Sequence, residues 1–155
     1  MPAHILCMFV CTIVLYACEQ ATPPSGNSAV GGAELIDTFG TYRIRDIEIA
    51  VFLKAGTAIV QFEVRSAHNA EPMFSGDVGS DWSRWSLFWS DNDELWVNSS
   101  DVGVYVWQKE KNGVYERSVV TSDLVPLMPS PVFDTLPSVL RKDWQGLRGT
   151  ETREE

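Results

Sequence analysis

The chain has 155 residues, with 12 Lys and Arg against 21 Asp and Glu, for a net charge of −9. That length suits one domain around one core, because two domains sharing it would each be undersized. The acidity excludes a nucleic-acid binder, which rewards clustered Lys and Arg, and a polybasic hold on anionic lipid heads; its simplest consequence is solubility.

In chain order the first element is Ile5–Ala17, 13 residues without a charge. A spanning helix needs about 20 apolar residues, so this run reads as the apolar region of a secretory signal. It closes on Leu15-Tyr16-Ala17-Cys18 and gives way to polar Glu19-Gln20-Ala21-Thr22-Pro23-Pro24. These residues resemble the lipobox of bacterial lipoproteins, in which the cysteine takes a diacylglycerol and becomes the new N-terminus. The resemblance covers the N-terminus alone. It implies a signal peptide over 1–17, lipidation of Cys18, and a lipid-anchored place in the cell envelope, on its periplasmic or extracellular face. Glu19, where an aspartate would favour inner-membrane retention, favours the outer membrane. Ordinary cleavage near Ala17 and an uncleaved anchor stay open. Cys7 and Cys11 lie inside the signal and no cysteine follows Cys18, so the mature chain cannot form an internal disulfide.

Residues 18–33 are small and polar, with Pro23-Pro24, Gly26, Gly31 and Gly32, the composition of a flexible tether. A single β-rich domain is expected over 34–147, and a charged, fraying tail over 148–155. Ile47–Lys54 and Ala58–Arg65 alternate at period two, the strand signature. A two-residue turn at Gly56-Thr57 would pair Ile49 with Val64, Val51 with Phe62 and Leu53 with Val60, and Glu48 with Arg65 on the other face. After a loop over Ser66–Ser83, strands are expected at Trp85–Trp89, Glu94–Asn98, Val104–Lys109 and Val114–Val120. Asn112-Gly113 is a strong hairpin signal; as a two-residue loop it sets Val106 opposite Val119 and Lys109 opposite Glu116.

Ser99-Ser100-Asp101-Val102-Gly103, followed by Trp107, resembles the Asp-box turn of sialidase-like propellers. The chain is too short for a propeller. The resemblance implies only that Asp101 hydrogen-bonds its loop backbone and that Gly103 takes a positive φ. Pro126, Pro129 and Pro131 end the ladder. Phe133, Leu136, Leu140 and Trp144 then recur at helical spacing, with Asp134 or Thr135 as cap and Pro137 in the first turn. The fold expected is mainly β: antiparallel hairpins forming a small sandwich or half-open barrel, closed by one short C-terminal α-helix.

Function is sought in the Ser66–Ser83 loop, because long connections on a rigid scaffold commonly carry it. It gathers His68, Phe74, Asp77, Asp81 and Trp82 as a candidate binding surface, with Trp82 the best single contact. Most of the six tryptophans are expected in the core, with Trp82 the exposed ring. Asp91-Asn92-Asp93-Glu94 reads as a solvated hairpin tip, since it lacks the glycine and distant glutamate of a calcium loop. Asn98-Ser99-Ser100 fits a glycosylation sequon, relevant only in a eukaryotic host. With His68 the one mature histidine and no nucleophile elbow, no catalytic residue, metal or cofactor is assigned. Loop carboxylates at Glu71, Asp77, Asp81, Asp91 and Asp93 leave polysaccharide hydrolysis as an alternative. The expectation is a lipid-anchored extracytoplasmic binding domain for a protein or an envelope polymer. A second alternative is a lipoprotein inhibitor or immunity factor directed at a basic enzyme.

Overall fold

Two burial patterns build two kinds of sheet. Over Ile47–Phe52 and Val60–Arg65 buried residues alternate with partly exposed ones, whereas Ser86–Ser90 and Leu95–Ser99 are buried at every position. The first pattern belongs to a sheet with one face in water, the second to a sheet covered on both faces. The computed structural model describes residues 35–148. Cys18 and the signal and tether expected over 1–33 lie outside the described residues, as does the tail beyond Arg148.

Two antiparallel sheets pack face to face. One contains β2 (Gly40–Ile44), β3 (Ile47–Leu53), β4 (Ile59–Ser66) and β5 (Pro72–Ser80), in that order. The other contains β1 (Leu35–Ile36), β6 (Trp85–Trp89), β7 (Leu95–Ser99), β8 (Gly103–Lys109) and β9 (Tyr115–Val119), in that order. The result is a sandwich, not a closed barrel. Ile49, Val60, Phe62 and Val64 meet Leu87, Leu95, Val97 and Tyr105 between the sheets.

A third layer covers the outer face of the five-stranded sheet. There Phe88, Trp96, Val104 and Val106 pack against Val125, Met128, Val132, Phe133 and Leu136. These come from a 3₁₀ turn (Val125–Leu127) and α1 (Ser130–Thr135), followed by α2 (Ser138–Arg148). The short C-terminal helix expected is present as α2, and the helical spacing from Phe133 onward is divided between it and α1. Pro137 disfavours helical geometry at the residue before it, and Leu136 is extended, at φ −63° and ψ 148°. Nor do the helices close the core between the sheets; they build a second one.

The β3–β4 register is as expected, with Ile49 opposite Val64, Val51 opposite Phe62, Leu53 opposite Val60 and Glu48 opposite Arg65. The turn is longer, however. Lys54 N–H donates to Ile59 O at 2.8 Å and Thr57 N–H to Lys54 O at 3.0 Å, so Gly56, at φ +72°, is the second of the two central residues of a Lys54–Thr57 turn, not the first of a Gly56-Thr57 one.

The β8–β9 register slips by one from expectation: Tyr105 faces Val119, and Gln108, not Lys109, faces Glu116. Glu110 N–H donates to Val114 O and Gly113 N–H to Glu110 O, both at 2.8 Å. This is a three-residue loop with Gly113 left-handed at φ +85°, the bulged alternative to a two-residue turn. The slip turns Tyr115 inward, where its ring stacks on Phe74 at 4.3 Å, and leaves Val119 exposed.

The largest correction concerns 66–83, expected as a loop. Half of it is β5, whose pairing with β4 shifts register twice. Those irregularities, with Gly76 and Gly79, break the period-two signal.

Strand direction gives the sandwich two distinct ends. Connections 45–46, 67–71, 90–94 and 110–114 share one end; 37–39, 54–58, 81–84 and 100–102 share the other.

Candidate functional site

The second end carries a groove whose floor begins as a cross-strand pair. Ser86 of β6 stands opposite Asn98 of β7, two polar residues on a face otherwise given to Phe88 and Trp96. Buried polar groups need partners, and the end of α1 supplies them. Asn98 Nδ2 donates to Thr135 Oγ1 at 2.9 Å and to Thr135 O at 3.2 Å. Ser86 Oγ reaches Thr135 Oγ1 at 3.4 Å, and Thr135 Oγ1 in turn donates to Val132 O at 2.7 Å. This cluster holds the C-terminus of α1, and the break at Pro137 then turns α2 away.

Between that junction and the strand connections lies a cavity of about 670 Å³. Its walls are Asp37, Thr38 and Phe39 before β2, Asp81, Ser83, Arg84 and Trp85 at the entry to β6, and Asp134, Leu136 and Arg141 from the helices. It shares Arg84, Asn98, Thr135, Leu136 and Arg141 with a neighbouring depression of about 410 Å³, which adds Ser100, Pro137 and Ser138. Small-molecule sites commonly span about 300–1,000 Å³. Phe39 and Trp85 stand side by side with ring centroids 5.6 Å apart, Phe39 exposed and Trp85 half-buried.

The β5–β6 connection is pinned in place. Asp101 Oδ2 accepts from Ser80 N–H at 3.0 Å and from Ser80 Oγ at 2.7 Å, while Ser99 Oγ donates to Oδ1. The Ser99 hydroxyl, then the Ser80 N–H and hydroxyl, hold the Asp101 carboxyl well below the usual carboxylate range. Asp81 N–H donates to Ala58 O at 2.9 Å and Ser83 Oγ to Ser80 O at 2.8 Å. Arg84 N–H donates to Ser100 Oγ at 3.1 Å, and Ser100 N–H returns a bond to Arg84 O at 2.9 Å. The segment from Ser80 to Arg84 is thus fixed to both sheets. Asp101 does brace backbone, but that of Ser80 across the sandwich, not that of its own loop. Gly103 takes φ +96°, as expected.

Compared with known proteins, the chain matches no family model, no curated protein and no solved structure.

The sequence-derived candidate surface is not one surface. Phe74 lies in the core, stacked on Tyr115 and Trp107, because the alternation of β5 aims it inward; it is unavailable to a partner. His68 is exposed at the opposite end from the groove, on the β4–β5 connection beside Ala67, whose N–H donates to Asp46 O at 2.6 Å. Asp77 accepts from Gln61 Nε2 at 2.6 Å on the outer face of the four-stranded sheet. Its backbone carbonyl accepts from the buried Tyr105 hydroxyl, which burial pushes above the ordinary phenol range. Asp81 alone of the five lines the groove. Trp82 is 80 % exposed, on the same connection between two lining residues. Asn98 of the sequon is buried and bonded to Thr135, which disqualifies it as an accessible glycan acceptor.

The sequence does not single out Phe39, Arg84 and Arg141, and it offers Asp134 only as a helix cap, whereas Asp134 lies within α1; no spacing relates the four segments that meet here. The one available signal was Ser86 and Asn98, polar positions in otherwise apolar strands. Among the described residues no group of three or more His, Cys, Asp or Glu is placed to hold a metal ion.

Proposed function

We propose that this is a lipid-anchored, extracytoplasmic binding domain that engages an envelope polymer through the groove between the β5–β6 connection and the α1–α2 junction. The groove carries the reading. It combines a built polar floor, the exposed Phe39 ring beside the half-buried Trp85, and two arginine side chains with no side-chain partner among the described residues, one of them, Arg84, on the segment pinned to both sheets. Aromatic and Arg side chains are the usual anchors of binding surfaces, and pinning the Ser80–Arg84 backbone lowers the ordering cost of presenting Arg84. Trp82 beside the groove extends the same surface. The anchor rests on the Cys18 segment and accounts for a binding domain tethered in the envelope.

Two variants test the two halves of this proposal. Cys18→Ser in the native host should remove the lipid mass and release the protein from membranes; wild-type protein found soluble with a free Cys18 thiol contradicts the anchor. Phe39→Ala combined with Arg141→Gln should reduce retention of the full chain on envelope material at least about fivefold, with the folding midpoint almost unmoved, as expected for exposed side chains. Undiminished retention contradicts the groove.

One observation favours hydrolysis as a second reading. Asp37, Asp81 and Asp134 share this groove, and paired carboxylates are the equipment of glycoside hydrolysis. Release of reducing ends from the retained polymer, abolished by Asp81→Asn or Asp134→Asn, would convert the binding site into an active site.

A further inference from the structure

We infer that the groove takes an acidic sugar, a pyranose ring bearing a carboxylate; this rests on the groove being the binding surface. The first observation is what the arginines do. Arg45 pairs with Asp91 and Arg65 with Glu63. Arg117 lies over the Tyr105 ring and Arg148 over that of Phe133, at 4.4 and 4.5 Å. Arg43 stands opposite Glu48 across β2 and β3. Arg43, Arg84 and Arg141 make no ion pair, side-chain hydrogen bond or ring contact among the described residues, and of these three Arg84 and Arg141 line this groove. A guanidinium offers a planar fork of donors that fits a carboxylate.

Charge narrows the ligand further. Three carboxylates, Asp37, Asp81 and Asp134, share the walls with the two guanidiniums, so the lining sums to about one negative charge. A polyphosphate or nucleic acid would meet repulsion along most of its length. A sugar acid has one negative group per ring, and its hydroxyls donate to carboxylates. Phe39 and Trp85 supply the apolar surface on which the C–H face of a pyranose rests. Asn98 lines the floor, and its Oδ1 accepts no hydrogen bond from a described residue while its Nδ2 is held by Thr135, so an oriented acceptor faces a hydroxyl in the groove. Rings, acceptors and two guanidiniums in one groove together describe a sugar acid better than a peptide or a neutral glucan.

Calorimetric titration of the detergent-solubilised full chain tests this. Trigalacturonate and a disaccharide containing N-acetylmuramic acid serve as acidic probes, which separate a uronate polymer from cell-wall glycan as the source. Maltotriose and chitobiose are the neutral controls. One acidic probe should bind at least about tenfold tighter than its neutral control and weaken as salt is raised. Arg84→Gln and Arg141→Gln should each cost about tenfold, with partial rescue by Arg141→Lys, while Arg43→Gln binds like wild type. Equal binding of acidic and neutral sugars, or binding of neither acid, overturns the inference. Neutral sugar held in the groove and lost on Phe39→Ala would overturn the acidic ligand while leaving the groove as the binding surface. Loss of envelope binding through changes at the opposite end would overturn both.

Discussion

Asp101 sits in the turn 100–102 and secures the groove from the side. Its carboxylate takes two hydrogen bonds from Ser80 and one from Ser99, joining the end of β5 to the five-stranded sheet. Gly79 allows this closeness, since a Cβ there would run into the Asp101 carboxylate and the Ser99 hydroxyl. Asp101→Asn keeps the shape but loses the charge that strengthens three bonds. Because the site is exposed, the expected loss is about 1 kcal/mol at neutral pH. The folded carboxyl titrates below its unfolded value of about 3.9, so its contribution is complete above that value and fades as pH falls toward the folded one. Urea unfolding of both proteins at pH 7 and pH 3 checks this: the gap between them should narrow at the lower pH. Equal stability at pH 7 would show that the clamp contributes nothing. Asp101 was recognisable as a bracing aspartate from its turn sequence. Its partner was not, because Ser80 comes from another sheet.

Elements were legible where a single face is buried. β3 and β4 alternate cleanly, and their register followed from pairing apolar with apolar residues and Glu48 with Arg65. β6, β7 and β8 were also found, though the burial of β7 at every position reflects a third layer that their composition does not reveal. The β8–β9 hairpin shows what local rules miss. Asn112-Gly113 marked the turn, and both the two- and three-residue loops satisfy it. Packing chose between them, since only the longer loop turns Tyr115 toward Phe74. β2 and β5 escaped notice for a related reason. β2 is short and mostly polar (Gly-Thr-Tyr-Arg-Ile), and β5 is bulged and rich in glycine, so neither carries a sustained period. The helical spacing from Phe133 to Trp144 was real, but Pro137 divides it. That division creates the junction against which the groove forms.

At the scale of the whole molecule, a mainly β sandwich with a helical end was readable from turns and alternation. The site was not, since it is assembled from four segments far apart in the chain. Asp37, Arg84, Asp134 and Arg141 are ordinary surface residues one at a time, and only closure of the sheets and the helix layer brings them together. The long connection thought to hold the site instead spans the sandwich, with His68 at one end and Asp81 and Trp82 at the other. The two ends therefore make a built-in comparison for the central claim, that the groove is the binding face. The most direct test is chemical-shift mapping of backbone amides and Trp and Arg side chains as solubilised host envelope polymer is added. The account predicts shifts concentrated at 37–39, 81–86 and 134–141, with the Trp82 and Trp85 indole signals among them. Shifts confined to 45–46, 67–71 and 91–93, with the groove signals unmoved, would contradict it.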